Sequence, residues 1–434
     1  MKKKIFWLCI LLIFVFTQVP LMAAPVSVSA PAYILIDGNS GITLSEKNAD
    51  KKMYPASTTK IMTAILAIEN CNMDDVCTAT FEDVNSISWD SSKVWLSEFE
   101  EMTVRDLVFS LLVVSANDAA NVLGRHISGD LTEFAKLMTK RAAELGCTST
   151  NFVNAHGLHH DKHYTTPRDL AIIARHAMTL PLFRESVATR EYKIAPTNRY
   201  EEERNLKSTN HLLNPESSLY YEYANGIKTG YTVKAGNCLV SSAQSDRGLV
   251  ISVVMGADKK DGKNWAFIDS KKLLQHGLEQ CQSVNRAKAG QRLSTLPVSN
   301  AKDAVFIPML AQTDVNIILP EGADPDKIRK KEYNIKDVSA PFTKGQVLGR
   351  MEYWYEDTKV GETMLVADKD YEYQALAFII HPVKKAVKSW WFWVLLVLIL
   401  LYWMYLKEKK KRERRRRRLE ERRMRNNTYK NMKE

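Results

Sequence analysis

Cysteine pairs at metal-binding spacing are absent from this 434-residue chain, which excludes a zinc module of the paired-cysteine kind. One of its six cysteines, Cys9, falls in an apolar N-terminal run, leaving Cys71, Cys77, Cys147, Cys238 and Cys281. An odd set of thiols cannot pair completely within one chain. Cys71 and Cys77 flank Asn72-Met73-Asp74-Asp75-Val76 and are the only two near enough in sequence to suggest a bridge. The sequence leaves their pairing open. Cys147 and Cys238, in apolar or glycine-flanked contexts, read as small core residues.

Excess positive charge is also missing from the body of the chain, although the formal net charge is +11. Residues 407–434 hold 15 basic and 5 acidic side chains, and Lys2, Lys3 and Lys4 add three more cations, which leaves residues 5–406 near −2. A basic nucleic-acid-binding surface is therefore excluded for the folded part, and the basicity concerns membrane topology. No charge at all occurs in residues 389–406, which open on Trp390-Trp391-Phe392-Trp393 and close on Tyr402-Trp403-Met404-Tyr405. As a helix this stretch measures about 27 Å, close to the hydrocarbon thickness, with aromatic residues where the interfaces would lie. A transmembrane helix is expected at 389–406. The basic block 409–418 then stays in the cytoplasm, and residues before 389 lie outside. Stop-transfer and contact with anionic lipid explain that block more simply than nucleic acid does.

What is present begins with three lysines, the apolar run 5–16, Pro20, and small residues at Ala23 and Ala24. That order predicts an export signal over 1–24. With 45% apolar and 26% charged residues the remainder is a folded protein, too long for one ordinary core. Strand-like runs at 32–37 and 42–46 enclose Gly38-Asn39-Ser40-Gly41 and read as a hairpin. Helices are predicted over 104–124 around a turn at Ser115, over 131–145, and over 166–178 with Pro167 and Asp169 in the first turn. Three antiparallel strands follow at 228–233, 237–243 and 249–255, and a helix at 265–278 covers them. From 285 to 382 only short alternating runs occur, which predicts a small all-β module.

The chain is organised around Pro55-Ala56-Ser57-Thr58-Thr59-Lys60. Residues 57–70 contain no Gly or Pro and show helical apolar spacing, so a helix is expected from near Ser57 into the core. Residues three apart share a helix face, which sets Lys60 beneath the Ser57 hydroxyl. Desolvated there and close to another cation, the lysine can lose its proton and act as base for serine attack. Alone, Ser-x-x-Lys is common by chance and more often marks an N-capping serine with an exposed lysine on the first turn. Two further elements follow: Ser115-Ala116-Asn117, and Lys228-Thr229-Gly230 ahead of Tyr231. His156, His159, His160 and His163 suggest a metal site by type, but Gly157 and the lack of helical periodicity give no reason for the imidazoles to converge. A loop beside the cleft is the preferred reading, with no metal.

With these residues in place, the chain resembles the low-molecular-weight penicillin-binding proteins that act as serine-type D-Ala-D-Ala carboxypeptidases. The ordered trio Ser-x-x-Lys, Ser-Asp-Asn and Lys-Thr-Gly marks penicillin-binding proteins and class A β-lactamases. Here the middle element carries Ala116 in place of aspartate. Further matching segments are Ala116-Asn117-Asp118-Ala119-Ala120, residues 154–158, Tyr164-Thr165-Thr166 with Asp169-Leu170, and Gly226-Ile227 leading into Lys228. The resemblance covers about residues 30–380. A spanning C-terminal anchor departs from the amphipathic helix of many relatives.

The resemblance implies an α/β (α+β) fold of the penicillin-binding/β-lactamase-like transpeptidase type, a helical unit on an antiparallel sheet with the active site between them. It implies domains at 25–283 (catalytic) and 284–382 (β-rich), ahead of the span at 389–406 and the cytoplasmic tail at 407–434. Ser57 is the implied nucleophile and Lys60 its base, while Ser115 and Asn117 relay the proton and hold the substrate amide. Lys228 and Thr229 bind the terminal carboxylate, Gly230 admits the peptide to the strand edge, and the N–H groups of Ser57 and Tyr231 form the oxyanion hole. The substrate is the peptidoglycan stem pentapeptide, β-lactam antibiotics are inhibitors, and no cofactor is required. A DD-endopeptidase shares all three motifs. A β-lactamase of class A would need Glu-x-x-Leu-Asn, and the nearest match, Glu216-Ser217-Ser218-Leu219-Tyr220, lacks the asparagine and lies too near Lys228. A non-catalytic wall-binding scaffold would have lost a catalytic group, and none is lost.

Overall fold

A computed structural model describes residues 26–373, apart from 261, 303 and 337, together with residues 387–431. The signal expected at 1–24 and the end of the β-rich segment at 374–382 lie outside the described residues. Two alternating runs pair around the Gly38–Gly41 turn as β1 (Ala32–Asp37) and β2 (Thr43–Lys47). Three longer strands, β3 (Ala224–Thr232), β4 (Gly236–Ser245) and β5 (Gly248–Ala257), complete one sheet in the order β2-β1-β5-β4-β3, with every neighbour antiparallel. The first strand thus closes on the last, Ala32 opposite Met255 and Asp37 opposite Val250.

Period-two alternation sends side chains to both faces of this sheet, and both are buried. Ile34, Ile36, Val240, Ile251 and Val253 face one apolar core; Tyr33, Leu35, Leu239, Val250 and Val254 face a second. The first core is shared with α1 (Lys60–Asn70), α2 (Phe81–Asn85), α3 (Val104–Val113), α4 (Asn117–Ser128), α5 (Leu131–Glu144), α6 (Pro167–Ala177) and α7 (Pro181–Ala188). The second is covered by α8 (Trp265–Gln275) through Phe267, Leu273 and Leu274. Each aliphatic side chain so removed from water contributes about 2 kcal/mol. Every residue of α1 from Lys60 to Ala67 is buried, so this helix runs through the middle of the first core.

The α-helix does not begin at Ser57. Residues Ala56–Thr59 form a 3-10 turn, because the hydroxyls of Thr58 and Thr59 bond back to the carbonyls of Pro55 (2.7 Å) and Ala56 (2.8 Å), and Ala56 adopts φ +49°. A second difference lies at the other end: α9 (Trp390–Asn431) continues through the basic tail as one helix. Lys, Arg and Glu are good helix formers, and no Gly or Pro interrupts them. Among the described residues α9 alone is long and apolar enough to cross a membrane, and its apolar window is fully exposed.

Between 282 and 373 the described residues contain no α-helix. Strands β6 (Gln282–Ala287) and β9 (Val315–Leu319) pair, as do β7 (Arg292–Pro297) and β8 (Phe306–Ala311), and β10 (Ile328–Asn334), β11 (Val347–Tyr355) and β12 (Thr358–Ala367) follow. By compactness the chain separates into a unit up to Gln291 with Ala311–Tyr333 and Arg350–Met364, and a unit of Arg292–Leu310, Asn334–Gly349 and the residues from Leu365 onward. The five cysteines beyond Cys9 are free thiols, including Cys71 and Cys77, whose pairing the sequence leaves open.

Candidate active site

The 3-10 turn carrying Ser57 is fixed from behind by a loop that has no regular structure of its own. Gly157 sits at φ +89°, and a Cβ there would stand 1.9 Å from the Ala56 carbonyl oxygen, so only glycine permits this approach. Asn154 holds the loop, its Oδ1 accepting from Gly157 N–H (2.7 Å) and its Nδ2 donating to the Leu158 carbonyl (2.9 Å). Thr63 on α1 donates to the Ala155 carbonyl at 2.6 Å. His163 Nδ1 accepts from Val153 N–H, which places its proton on Nε2, facing Thr59 Oγ1 at 2.9 Å; Thr59 in turn donates to Ala56. Burial holds the His163 pKa down to about 3, so the ring is neutral and this relay persists at ordinary pH.

Lys60 begins α1 wholly buried. Its Nζ lies 2.9 Å from Ser57 Oγ, 2.6 Å from Asn117 Oδ1 and 2.7 Å from the His156 carbonyl oxygen. Burial first, and the nearby Lys228 second, push its pKa well below the usual lysine range, against a smaller opposing pull from Asp118. A neutral amine has two N–H groups and one lone pair. The amide and carbonyl oxygens can only accept, so they take the two N–H groups and leave the lone pair for the Ser57 hydroxyl.

Ser115 stands between α3 and α4 at φ +64°, and its neighbour Ala116 is buried in the first core. Asn117 opens α4, its N–H donating to the Ser92 carbonyl at 2.9 Å. Asp118 follows with a buried carboxylate that accepts from Val94 N–H (3.1 Å) and Leu96 N–H (3.0 Å), tying residues 92–96 to the second motif.

The third motif lies on β3, whose outer edge is unpaired in the sheet. Lys228 is buried, its Nζ donating to the Thr229 carbonyl at 3.1 Å, and burial lowers its pKa to about 7. Thr229 Oγ1 meets Thr209 Oγ1 at 2.9 Å. A Cβ on Gly230 would come within 3.1 Å of the Ser57 and Thr58 nitrogens, so the strand edge and the turn carrying Ser57 nearly touch. Tyr231 is 62% exposed. Ser57, Ser115, Asn117, Thr229, Gly230 and Tyr231 line one cleft of about 390 Å³, with Lys60 and Lys228 buried as electrostatic neighbours.

Several participants escaped the sequence. Thr209 and His211 also line the cleft, the His156 carbonyl holds Lys60, and Asp118 anchors the rim. A lone hydroxyl or a backbone oxygen leaves no sequence signal; Asp118 and the loop fall in the matching segments 116–120 and 154–158, which name no role for them. The other histidines are engaged locally: His156 Nδ1 accepts from Leu158 N–H, His160 Nδ1 from Lys162 N–H, and His159 stacks edge-on against Tyr54. No cluster of three metal-ligating side chains occurs among the described residues.

Residues 19–259 match the family model of peptidase S11, D-alanyl-D-alanine carboxypeptidase, and residues 282–373 that of the penicillin-binding protein 5 C-terminal domain. D-alanyl-D-alanine carboxypeptidase DacA of Haemophilus influenzae is 32% identical over 355 residues, 80% of this chain and 86% of that protein. DacF of Bacillus subtilis is 31% identical over 348 residues, 79% and 85% of the two chains. The crystal structure of penicillin binding protein 5 from Haemophilus influenzae superposes with a TM-score of 0.58 at 30% identity, covering 80% of this chain and 99% of that one. These two family matches, and relatives of this identity along most of their own length, make the chain a member of the D-alanyl-D-alanine carboxypeptidase family of low-molecular-weight penicillin-binding proteins.

Proposed function

We propose that this protein removes the terminal D-alanine from peptidoglycan stem pentapeptides through an acyl-enzyme, and that penicillin acylates the same serine. The observation that carries the reading is buried Lys60, whose Nζ lies within hydrogen-bond distance of Ser57 Oγ, Asn117 Oδ1 and the His156 carbonyl, in surroundings that disfavour its charge. Ser57 Oγ attacks the carbonyl between the two D-alanines as its proton passes to Lys60 Nζ. The N–H groups of Ser57 and Tyr231 receive the oxyanion. The C–N bond breaks, Ser115 conveys the proton to the departing amine, and Asn117 holds the substrate amide. Lys228 and Thr229 hold the terminal carboxylate, and the unpaired edge of β3 accepts the peptide as an added strand, with Gly230 allowing the approach. Water then cleaves the ester and returns the proton to Ser57.

The catalytic domain occupies 25–283, with a β-rich domain at 284–382. The protein crosses the cell membrane once through 389–406, its catalytic domain outside and residues 407–434 in the cytoplasm; the exposed apolar window of α9 and the cations beyond it support this. Ser57→Ala is expected to abolish both D-alanine release and labelling by fluorescent penicillin. Retained labelling would remove Ser57 as the nucleophile. Offering cross-linked muropeptides beside a pentapeptide, and scoring new monomers against free D-alanine, separates endopeptidase from carboxypeptidase action.

A further inference from the structure

Beside the cleft, residues 86–100 contradict the usual placement of aromatic side chains. Val94 and Leu96 are buried in the first core, while Trp95 between them is 59% exposed. Trp89 is 81% and Phe99 55% exposed. Trp95 and Phe99 also adopt φ +62° and +61°, a left-handed backbone that a bulky residue enters only when its surroundings impose it. The surroundings do so here. The Asp118 carboxylate grips the N–H groups of Val94 and Leu96 on either side of Trp95. Phe99 donates its N–H to the Ala79 carbonyl (2.8 Å) and its own carbonyl accepts from Asn198 Nδ2 (2.8 Å). Buried Glu100 pairs with Arg204 and accepts from Thr197 Oγ1 and Ser97 N–H. Backbone and side-chain bonds from Ala79, Thr197, Asn198, Arg204 and Asp118 thus combine to hold large rings at the surface, where Lys93 lies over the Trp95 ring and Arg199 over the Phe99 ring.

We infer that Trp89, Trp95 and Phe99 form a platform for the glycan strand that carries the stem peptide, a saccharide-binding site on the rim of the catalytic cleft; this rests on the stem-peptide reading of the cleft. Two observations select the occupant. The segment carrying the rings borders the cleft, since Asp90, Ser91 and Ser92, directly after Trp89, line it and the Ser92 carbonyl accepts the N–H of Asn117. A peptide entering that cleft brings its sugar chain to the rim. The rings are also interleaved with polar side chains, Ser88, Asp90, Ser91, Lys93, Ser97 and Glu98, and Lys93 stands 5.6 Å from the Trp95 ring centre. Flat apolar faces alternating with hydroxyls and charges match a sugar ring, whose C–H face is apolar and whose rim is hydroxyl and acetamide. A lipid surface would favour a contiguous apolar patch without carboxylates.

The test uses the full-length protein and the variant Trp89→Ala/Trp95→Asn/Phe99→Asn, asparagine being tolerated at positive φ. The probes are chitohexaose, a peptide-free β-1,4-linked N-acetylglucosamine oligomer, and two substrates, a free pentapeptide and uncross-linked glycan strands bearing it. Wild type is expected to bind chitohexaose with a saturable change in tryptophan fluorescence. The triple variant should bind it about tenfold more weakly and show KM on the glycan-borne substrate raised by a similar factor. Its kcat/KM on the free pentapeptide and its rate of penicillin acylation should stay at wild-type values. If the triple variant fails to acylate, Trp89→Ala alone carries the same comparison, because Trp89 lies outside the left-handed positions. Equal losses on both substrates would overturn the platform, as would absence of chitohexaose binding by wild type, or a variant whose only defect is binding to anionic vesicles. Chitohexaose binding by a wild-type protein that releases no D-alanine would keep the platform and remove the proposed activity.

Discussion

Lys60 and Lys228 are the same residue type, both buried, both depressed in pKa, and the proposed chemistry needs them in opposite charge states. Lys60 must be neutral to receive the Ser57 proton; Lys228 must be cationic to hold a carboxylate. Burial and then the repulsion of Lys228 hold Lys60 well below the usual lysine range, whereas burial alone lowers Lys228, to about 7. The kcat/KM of the free enzyme is therefore expected to rise with pH as Lys60 loses its proton. Above pH 7 it should fall by about tenfold per unit as Lys228 loses its own. Bound substrate supplies a carboxylate that favours the cation, so the alkaline limb should lie at higher pH in kcat than in kcat/KM. Lys228→Arg supplies a charge that does not titrate in this range. Its profile should lose the alkaline limb and keep the acid one, with a lower plateau because a planar guanidinium does not fit a slot shaped for an ammonium. An alkaline limb unmoved by that substitution would assign it to another group.

At the scale of elements, the nucleophile turn is positioned by a loop rather than by a helix or strand. Gly157→Ala would drive a methyl group into the Ala56 carbonyl at 1.9 Å, and backbone cannot yield as a flexible side chain would. Displacement of Ser57 by a fraction of an ångström is expected to slow penicillin acylation by about a hundredfold, measured by stopped-flow with circular dichroism as the check on folding. Gly146→Ala, also at positive φ (+100°) but facing open space, should lower thermal stability and leave acylation unaltered. The contrast shows what the sequence could announce. Ser57, Lys60, Asn117 and Lys228 are legible as candidates because serine acyl transfer would call for those side chains in that order. The strands and helices around them were legible from periodicity and punctuation, as with Pro167 and Asp169 at the start of α6. The 3-10 turn was not, because two threonine back-bonds outweigh a helical apolar pattern that continues unbroken from Ser57. Nor was the closure of β1 on β5, a pairing across more than two hundred residues that no local signal encodes. Gly157 falls in a matching segment of the sequence, yet what it supplies is the absence of a Cβ against the Ala56 carbonyl, a contact that no local pattern encodes.

For the whole molecule, the formal charge of +11 conceals a nearly neutral body and a tail that carries almost all of the imbalance. The helix α9 is 42 residues long, about 63 Å, roughly twice the hydrocarbon thickness. Its apolar part can fill the bilayer while the remainder projects as a charged rod. At the junction Lys407 lies over the Trp403 ring at 5.0 Å and Glu408 pairs with Arg412 at 3.9 Å, one turn apart. The side proposed for the rod rests on cost. The block 409–418 carries nine cations and one anion, and at about 3 kcal/mol for each cation at the bilayer centre its passage would cost roughly 25 kcal/mol. The proposed topology therefore predicts that trypsin added to intact cells leaves the tail uncut, and that permeabilisation exposes it. A membrane-impermeant fluorescent penicillin should label the protein in the same intact cells. Substituting the nine cations of 409–418 with glutamine removes the electrostatic barrier while leaving the span untouched, so a fraction of tails should then be trimmed from outside. Trimming of the wild-type tail in intact cells would reverse the assigned orientation and place the cleft on the wrong side of the membrane for its proposed substrate.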